Sequence, residues 1–275
     1  MFEITNDMVK GPYFGIIKGP PGVGKSWLAR FSEKPFYIAV EKGVEKVPGV
    51  GRFIENGQIK LPEDKKMFFD MMMHFVKNDH EYKTIVIDSG KFIDKLFEQD
   101  LIKNEPTEMI KKVETKVNSI ADYTFGRGYA KMIGPAYWGR FLAGVDALHK
   151  KGINVILIAH TREKNVSNRD GEEYQKHKMD MMEFGISSVP ALLEARADWS
   201  FFMNSETSTK ATVNNFGAKK VVAGSGMPET VVYTRNTNFA DAKVRTGDVN
   251  NVKDFYVIDI EDDSTSKIIF EDLLK

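Results

Sequence analysis

Short runs of consecutive apolar residues alternate along the chain with stretches whose apolar residues recur every three or four positions. Residues 13–17, 35–40, 84–87 and 154–159 are continuous apolar runs, and each predicts a strand buried on both faces. Between them, residues 63–77 place Met67, Phe68, Met71, Met72, Phe75 and Val76 at helical spacing, with the methionines read as core filling. Helical patterns also occupy residues 91–103 and 107–120. A further helix over 138–148 carries Trp138, Phe141, Leu142, Val145 and Leu148 on one face, with Gly152 placed to end it. Residues 122–134 are polar and glycine-bearing. Residues 163–178 are charged without periodicity and predict a long mobile loop. Ser188-Val189-Pro190 signals a helix start, and 199–203 reads as a strand. The remainder predicts antiparallel strands around 212–213, 220–222 and 231–234, then a strand at 255–260. A short amphipathic end bears Ile268, Ile269, Phe270, Leu273 and Leu274. Strands alternating with helices as far as about Met203 predict an α/β fold with a mostly parallel central sheet flanked by helices and a β-rich C-terminal part.

Composition adds exclusions. The chain has 275 residues and a formal net charge of zero, so any contact with a polyanion must come from a local patch. It has no cysteine, which removes a disulfide framework, a thiolate metal site and a cysteine nucleophile. No apolar run approaches a membrane span and no signal peptide is visible, so the expected location is cytoplasmic, with no membrane partner.

The chemistry concentrates in residues 19–26, Gly-Pro-Pro-Gly-Val-Gly-Lys-Ser, a complete G-x-x-x-x-G-K-[ST] loop. The strand at 13–17 precedes it, and Trp27-Leu28-Ala29-Arg30-Phe31 reads as the first turns of a helix. Gly19, Gly22 and Gly24 permit backbone angles that let successive N–H groups surround a phosphate, and Pro20, Pro21, Val23 and Trp27 complete the cradle. The positive end of the helix faces the same anion. Lys25 sets a charge against the terminal phosphates, and the Ser26 hydroxyl is a hard oxygen ligand for Mg²⁺. The expected cofactors are therefore ATP and Mg²⁺.

Four further positions bear on catalysis. Asp88 ends an apolar strand and is expected to hold Mg²⁺ opposite Ser26. Many triphosphatases place a glutamate directly after this aspartate to activate water, but here the next residue is Ser89. The base must lie elsewhere, and Glu41, ending the strand after the first helix, is the best candidate. His160 ends a buried strand at the carboxyl edge, where it either contacts the γ-phosphate or attacking water, or only caps the strand. Lys243 and Arg245 project the same way from an extended segment. They are either fingers reaching another subunit's phosphates or a solvated basic pair. His177 with Asp180 supplies too few ligands for a metal site.

The order of residues 19–26, Glu41, Asp88-Ser89, His160 and Lys243-x-Arg245 resembles RecA-like P-loop ATPases. It is most similar to the small phage-encoded RecA-core proteins described as nucleotide-binding proteins or single-strand annealing recombinases. The resemblance covers about residues 13–245. It implies that Glu41 is the base, that His160 senses the γ-phosphate, and that Lys243 and Arg245 act across a subunit interface in a homo-oligomeric filament or ring. It also implies single-stranded DNA as partner, together with a single-strand DNA-binding protein. The DNA would contact the region of Arg127, Tyr129 and Lys131 and the loop beginning at Arg162 and Lys164. Basic groups beside an aromatic suit a single strand. Acidic residues Glu163, Asp170, Glu172 and Glu173 depart from that pattern. The implied domains are an ATPase core over 1–250 and a C-terminal strand and short helix over 251–275. A DNA recombination or annealing ATPase is the leading expectation. A hexameric replicative helicase or helicase-loader motor comes second, and a nucleoside or nucleotide kinase third.

Overall fold

The computed structural model describes residues 11–110, 112–167, 171–206, 209–213, 219–223, 228–245, 251–259 and 262–274. In chain order its principal elements are β1 (Phe14–Gly19), α1 (Lys25–Ala29), β2 (Pro35–Ala39), β3 (Gly51–Arg52), α2 (Lys65–Lys77), β4 (Thr84–Asp88) and α3 (Gly90–Asn104). There follow α4 (Arg127–Ile133), α5 (Trp138–His149), β5 (Asn154–Ser167), β6 (Glu173–Met179), α6 (Val189–Arg196) and β7 (Trp199–Glu206). The described C-terminal part adds β8 (Glu229–Tyr233), β9 (Lys243–Val244), β10 (Phe255–Ile258) and α7 (Asp263–Leu274).

One sheet runs in the order β10-β8-β7-β1-β5-β4-β2-β3, with β6 paired to β5 and β9 to β7. The segment from β7 to β3 is parallel, and β6, β8, β9 and β10 pair antiparallel. The expected mostly parallel sheet with a β-rich C-terminal part is therefore observed.

Strand alternation sorts the core onto two faces. Phe14 and Ile16 of β1, Ile85 and Ile87 of β4, and Val155 and Leu157 of β5 pack with Phe68, Phe97, Phe141 and Leu193 from α2, α3, α5 and α6. Ile17, Val86 and Ile156 face the other way, against Leu28 of α1 and Ile269, Phe270 and Leu273 of α7. Gly15 in β1 is demanded by packing, because a Cβ there would lie 2.0 Å from the Trp199 ring. The C-terminal strand thus extends the main sheet, and its helix closes one face of the core. No helix among the described residues is long and apolar enough to cross a membrane.

Local chemistry sets the helix boundaries. Asp64 accepts a hydrogen bond from the Met67 N–H (2.7 Å) to start α2, and Ser188 accepts one from the Ala191 N–H (3.2 Å) to start α6. Gly152, with φ of 74°, follows the end of α5 as its sequence position suggests.

Three expectations are corrected. The expected helix over 107–120 is not observed among the described residues: Thr107–Ile110 and Val113–Lys116 pair as an antiparallel hairpin, and Ile120 only begins a short 3-10 turn, Ile120–Asp122. Their apolar residues, spaced three and four apart, fit a helix as well as a hairpin, but Thr107, Ile110, Val113 and Thr115 are β-branched. Lys112 takes φ of 69° at the turn without being glycine or asparagine. The charged stretch 163–178 is not an irregular loop, since β5 continues to Ser167 and pairs with β6 from Glu173↔Ser167 to Met179↔Thr161. Residues 168–170 of that stretch, and Ile260 of the last expected strand, lie outside the described residues. Helix α1 is only five residues long, so its dipole is short and the loop and Lys25 carry most of the attraction for an anion.

Asp94 of α3 ties three elements together, accepting hydrogen bonds from Trp138 Nε1 and the Met182 N–H, each at 2.7 Å. Burial pushes its carboxyl up to about 7, against the lowering effect of those two bonds. The unfolded carboxyl titrates near about 3.9, so the folded state holds the extra proton. Its contribution to stability is full below about pH 4 and is lost as pH rises toward about 7. Asp94→Ala leaves both donors unpaired and is expected to cost about 2 kcal/mol at pH 5, with a smaller deficit at pH 8. Denaturant unfolding at the two pH values checks this, and a deficit that grows with pH contradicts it.

Candidate nucleotide-binding site

Strand β1 ends at Gly19, where a Cβ would meet the Met203 carbonyl oxygen at 2.3 Å, so only glycine lets the chain turn here against β7. Gly22 and Gly24 adopt φ of 83° and 91°, the left-handed region that glycine reaches without strain. Val23 buries its side chain in the core beneath and pins the loop. The result is a cavity of about 290 Å³ lined by Gly22, Gly24, Lys25, Ser26, Trp27, Glu41, Asp88 and His160, together with Lys42, Gly43 and Ile158.

The parallel register explains the convergence. Gly19 pairs with His160, Asp88 with Ile158, and Ala39 with Asp88, so three strand ends meet at one edge of the sheet. This is the crevice at the carboxyl ends of the strands where α/β sheets bind ligands. Residues far apart in sequence become one site.

Lys25 is buried and folds back on the loop, donating to the carbonyls of Gly19 (3.0 Å) and Pro20 (2.7 Å). Burial lowers its ammonium to about 8, against the pull of Asp88 and Glu41. The Ser26 hydroxyl donates to Asp88 Oδ2 at 2.5 Å. Burial raises the Asp88 carboxyl to about 6, opposed by the Ser26 hydrogen bond. Both groups remain mostly charged at neutral pH. Ser26 and Asp88 thus offer two adjacent hard oxygens, a donor set suited to Mg²⁺ completed by phosphate and water.

Glu41 lies just beyond β2, and its N–H donates to the Asp88 carbonyl (3.3 Å). Its Oε1 accepts from the Ser89 hydroxyl and from His160 Nε2 (3.1 Å). His160 Nδ1 lies 3.4 Å from Lys25 Nζ. Lysine only donates, so Nδ1 accepts and Nε2 carries the proton given to Glu41. Burial disfavours the Glu41 carboxylate, but the bonds from His160 and Ser89 outweigh it and hold the group below its ordinary value. Trp27 packs under the Arg30 guanidinium (3.9 Å), and Arg30 pairs with Asp263 at the start of α7.

Other candidates stand apart from this cavity. Lys243 and Val244 pair with Ser200 and Trp199, which align with Ile16 and Gly15 of β1. That is three residues or about 10 Å back from Gly19. Within the protomer, Lys243 donates to the Glu194 carbonyl and Arg245 to the Ala195 carbonyl (3.3 Å), so both cations cap the C-terminal turn of α6.

The candidate DNA-facing cations each have a carboxylate. Arg127 pairs with Glu108, Lys131 with Glu105, Arg162 with Asp180 (3.4 Å) and Lys164 with Glu183. Tyr129 stacks on Phe184 (4.9 Å between centroids, 18° between planes), which brings the two segments to one surface. Phe125 and Ile186 stand fully exposed beside them, unmarked by any motif. A larger cavity of about 620 Å³ adjoins Lys164, Lys178 and Lys243. It contains no glycine loop, and its Lys18, Lys164 and Lys178 are paired with Glu194, Glu183 and Asp241.

Lys25→Ala removes the only ammonium lining the phosphate end of the smaller cavity among the described residues apart from Lys42. We expect triphosphate affinity to fall more than about tenfold, read by titration with a fluorescent nucleotide. Unchanged affinity would place the nucleotide elsewhere.

No curated protein matches the chain. The family model AAA_24, described as an AAA domain, matches residues 12–246, from the root of β1 through Arg245. The chain therefore belongs to this family of P-loop, nucleotide-binding ATPases.

Proposed function

We propose that this protein is a RecA-like, Mg²⁺-dependent ATPase that assembles on single-stranded DNA and acts in recombination or strand annealing. The observation that carries the reading is the position of Glu41. It is not the residue after Asp88 but reaches the same cavity from the end of β2, held by Ser89 and His160. A base delivered from the end of β2 is what the resemblance to RecA-like proteins implies.

In this mechanism Lys25 leaves the Gly19 and Pro20 carbonyls and turns its ammonium to the β- and γ-phosphates. Ser26 and Asp88 would hold Mg²⁺, which supplies charge neutralisation to the phosphates when bound. Glu41 takes the proton of the attacking water. His160, joined to both Lys25 and Glu41, couples the phosphate position to the base. Lys243 and Arg245, exposed or half-buried on the α6 terminus, would act on a neighbour's phosphates by exchanging backbone carbonyls for a bound anion.

For DNA, the supporting feature is the joined surface at Tyr129 and Phe184, with Phe125 and Ile186 exposed next to it. Aromatic faces accept bases of any sequence, while Arg127, Lys131, Arg162 and Lys164 can trade carboxylates for phosphates. That exchange makes binding sensitive to salt. We expect ATP turnover to rise several-fold with single-stranded DNA at low salt and the stimulation to disappear near about 0.3 M salt. Duplex DNA and RNA serve as comparisons in the same assay. Turnover indifferent to all three nucleic acids would contradict DNA action while leaving the ATPase intact.

A further inference from the structure

Ser89 occupies the N-cap position of α3, yet its side chain makes no capping hydrogen bond. The same chain contains the opposite case. Ser188 at the start of α6 does accept from the third residue on, the Ala191 N–H at 3.2 Å. At Ser89 only the backbone carbonyl serves the helix, receiving the Phe92 and Ile93 N–H groups at 3.2 and 3.3 Å. The hydroxyl, wholly buried, is donated to Glu41 Oε1 instead. An N-cap serine ordinarily satisfies an orphan helix N–H, so turning away from it signals a competing task.

The geometry around Glu41 defines that task. Oε1 receives two hydrogen bonds, from Ser89 and from His160, while Oε2 receives none among the described residues. Two donors from different strands fix the carboxylate plane, since Ser89 follows the end of β4 and His160 lies within β5, which runs on past it to Ser167. One oxygen is clamped, and the other keeps its lone pairs for a proton. A glutamate brought in from β2 lacks the rigid tether of one that directly follows the metal-binding aspartate, and it needs an external holder.

We propose that Ser89 is the positioning residue for Glu41, its hydroxyl clamping Oε1 so that Oε2 is aimed at the attacking water. This rests on the reading of Glu41 as the base. The serine in the place of a glutamate is then part of the relocated machinery.

The test compares wild type, Glu41→Gln, Ser89→Ala, Ser89→Cys and the Glu41→Gln/Ser89→Ala double variant. ATP turnover, affinity for a non-hydrolysable ATP analogue and thermal unfolding are measured for each. Ser89→Ala is expected to lower kcat about tenfold, with KM and analogue affinity within about twofold of wild type. Ser89→Cys, which keeps the shape but donates weakly, should fall between the two and covers the case in which the alanine variant unfolds. The double variant should turn over no more slowly than Glu41→Gln alone, because a residue acting through Glu41 has nothing left to act on. A wild-type kcat in both Ser89 variants overturns the proposal. So does a loss of equal size in the Glu41→Gln background, or one matched by weakened analogue binding. Glu41→Gln at the wild-type rate instead overturns the base assignment itself, whatever Ser89 does.

Discussion

The register between β1, β5 and β4 is the constraint on which the site depends. Gly19 lies opposite His160 and Asp88 opposite Ile158, so the glycine loop, the Asp88 carboxylate and the histidine share one sheet edge. A slip of one residue in either pairing would turn every side chain on the moved strand to the opposite face. It would also break the two-sided core, in which Ile16, Leu157 and Ile87 face one helical layer and Ile17, Ile156 and Val86 the other. Burial on both faces therefore enforces the register, and the register builds the site. Stability and function use the same pairing.

Within that frame the polar groups are linked rather than placed side by side. Ser89, Glu41, His160 and Lys25 form a continuous series of hydrogen-bonding contacts, and Ser26 with Asp88 lies next to it. Burial works against every charge in the group, raising Asp88 and lowering Lys25 toward neutrality. Each charge stays by leaning on its neighbours. Such a network answers to an incoming phosphate as a unit, since moving Lys25 removes a contact from His160, and His160 in turn holds Glu41.

Much of this was legible in the sequence, for a physical reason. Residues 19–26 declare themselves because the phosphate cradle needs glycine at fixed spacing, and the buried strands declare themselves by unbroken apolar runs. The helices α2, α3 and α5 are marked by periodicity, and α6 by its Ser188-Val189-Pro190 start. The hairpin at 107–116 was not legible, because its apolar spacing also fits a helix and its turn uses Lys112 in place of glycine. Nor was the β5–β6 hairpin, whose partly exposed ladder carries charges on both strands and shows no apolar alternation. Ser89 stood out only as the residue where a glutamate is often found. Its bond to Glu41 joins positions 48 apart in sequence and could come only from the fold. The pairing of Arg127, Lys131, Arg162 and Lys164 with carboxylates was likewise hidden, since each partner lies on another segment.

In residues 19–26, Lys25 and Ser26 are held by internal partners that a bound triphosphate would have to displace. A crystal structure with Mg²⁺ and a non-hydrolysable ATP analogue tests this displacement most directly. The account predicts the triphosphate in the glycine-loop cavity, with Lys25 Nζ released from the Gly19 and Pro20 carbonyls, now 3.0 and 2.7 Å away, and the Ser26 hydroxyl turned to the metal. Nucleotide bound elsewhere, for instance in the lysine-lined cavity of about 620 Å³, with Lys25 still on its loop carbonyls, would contradict it.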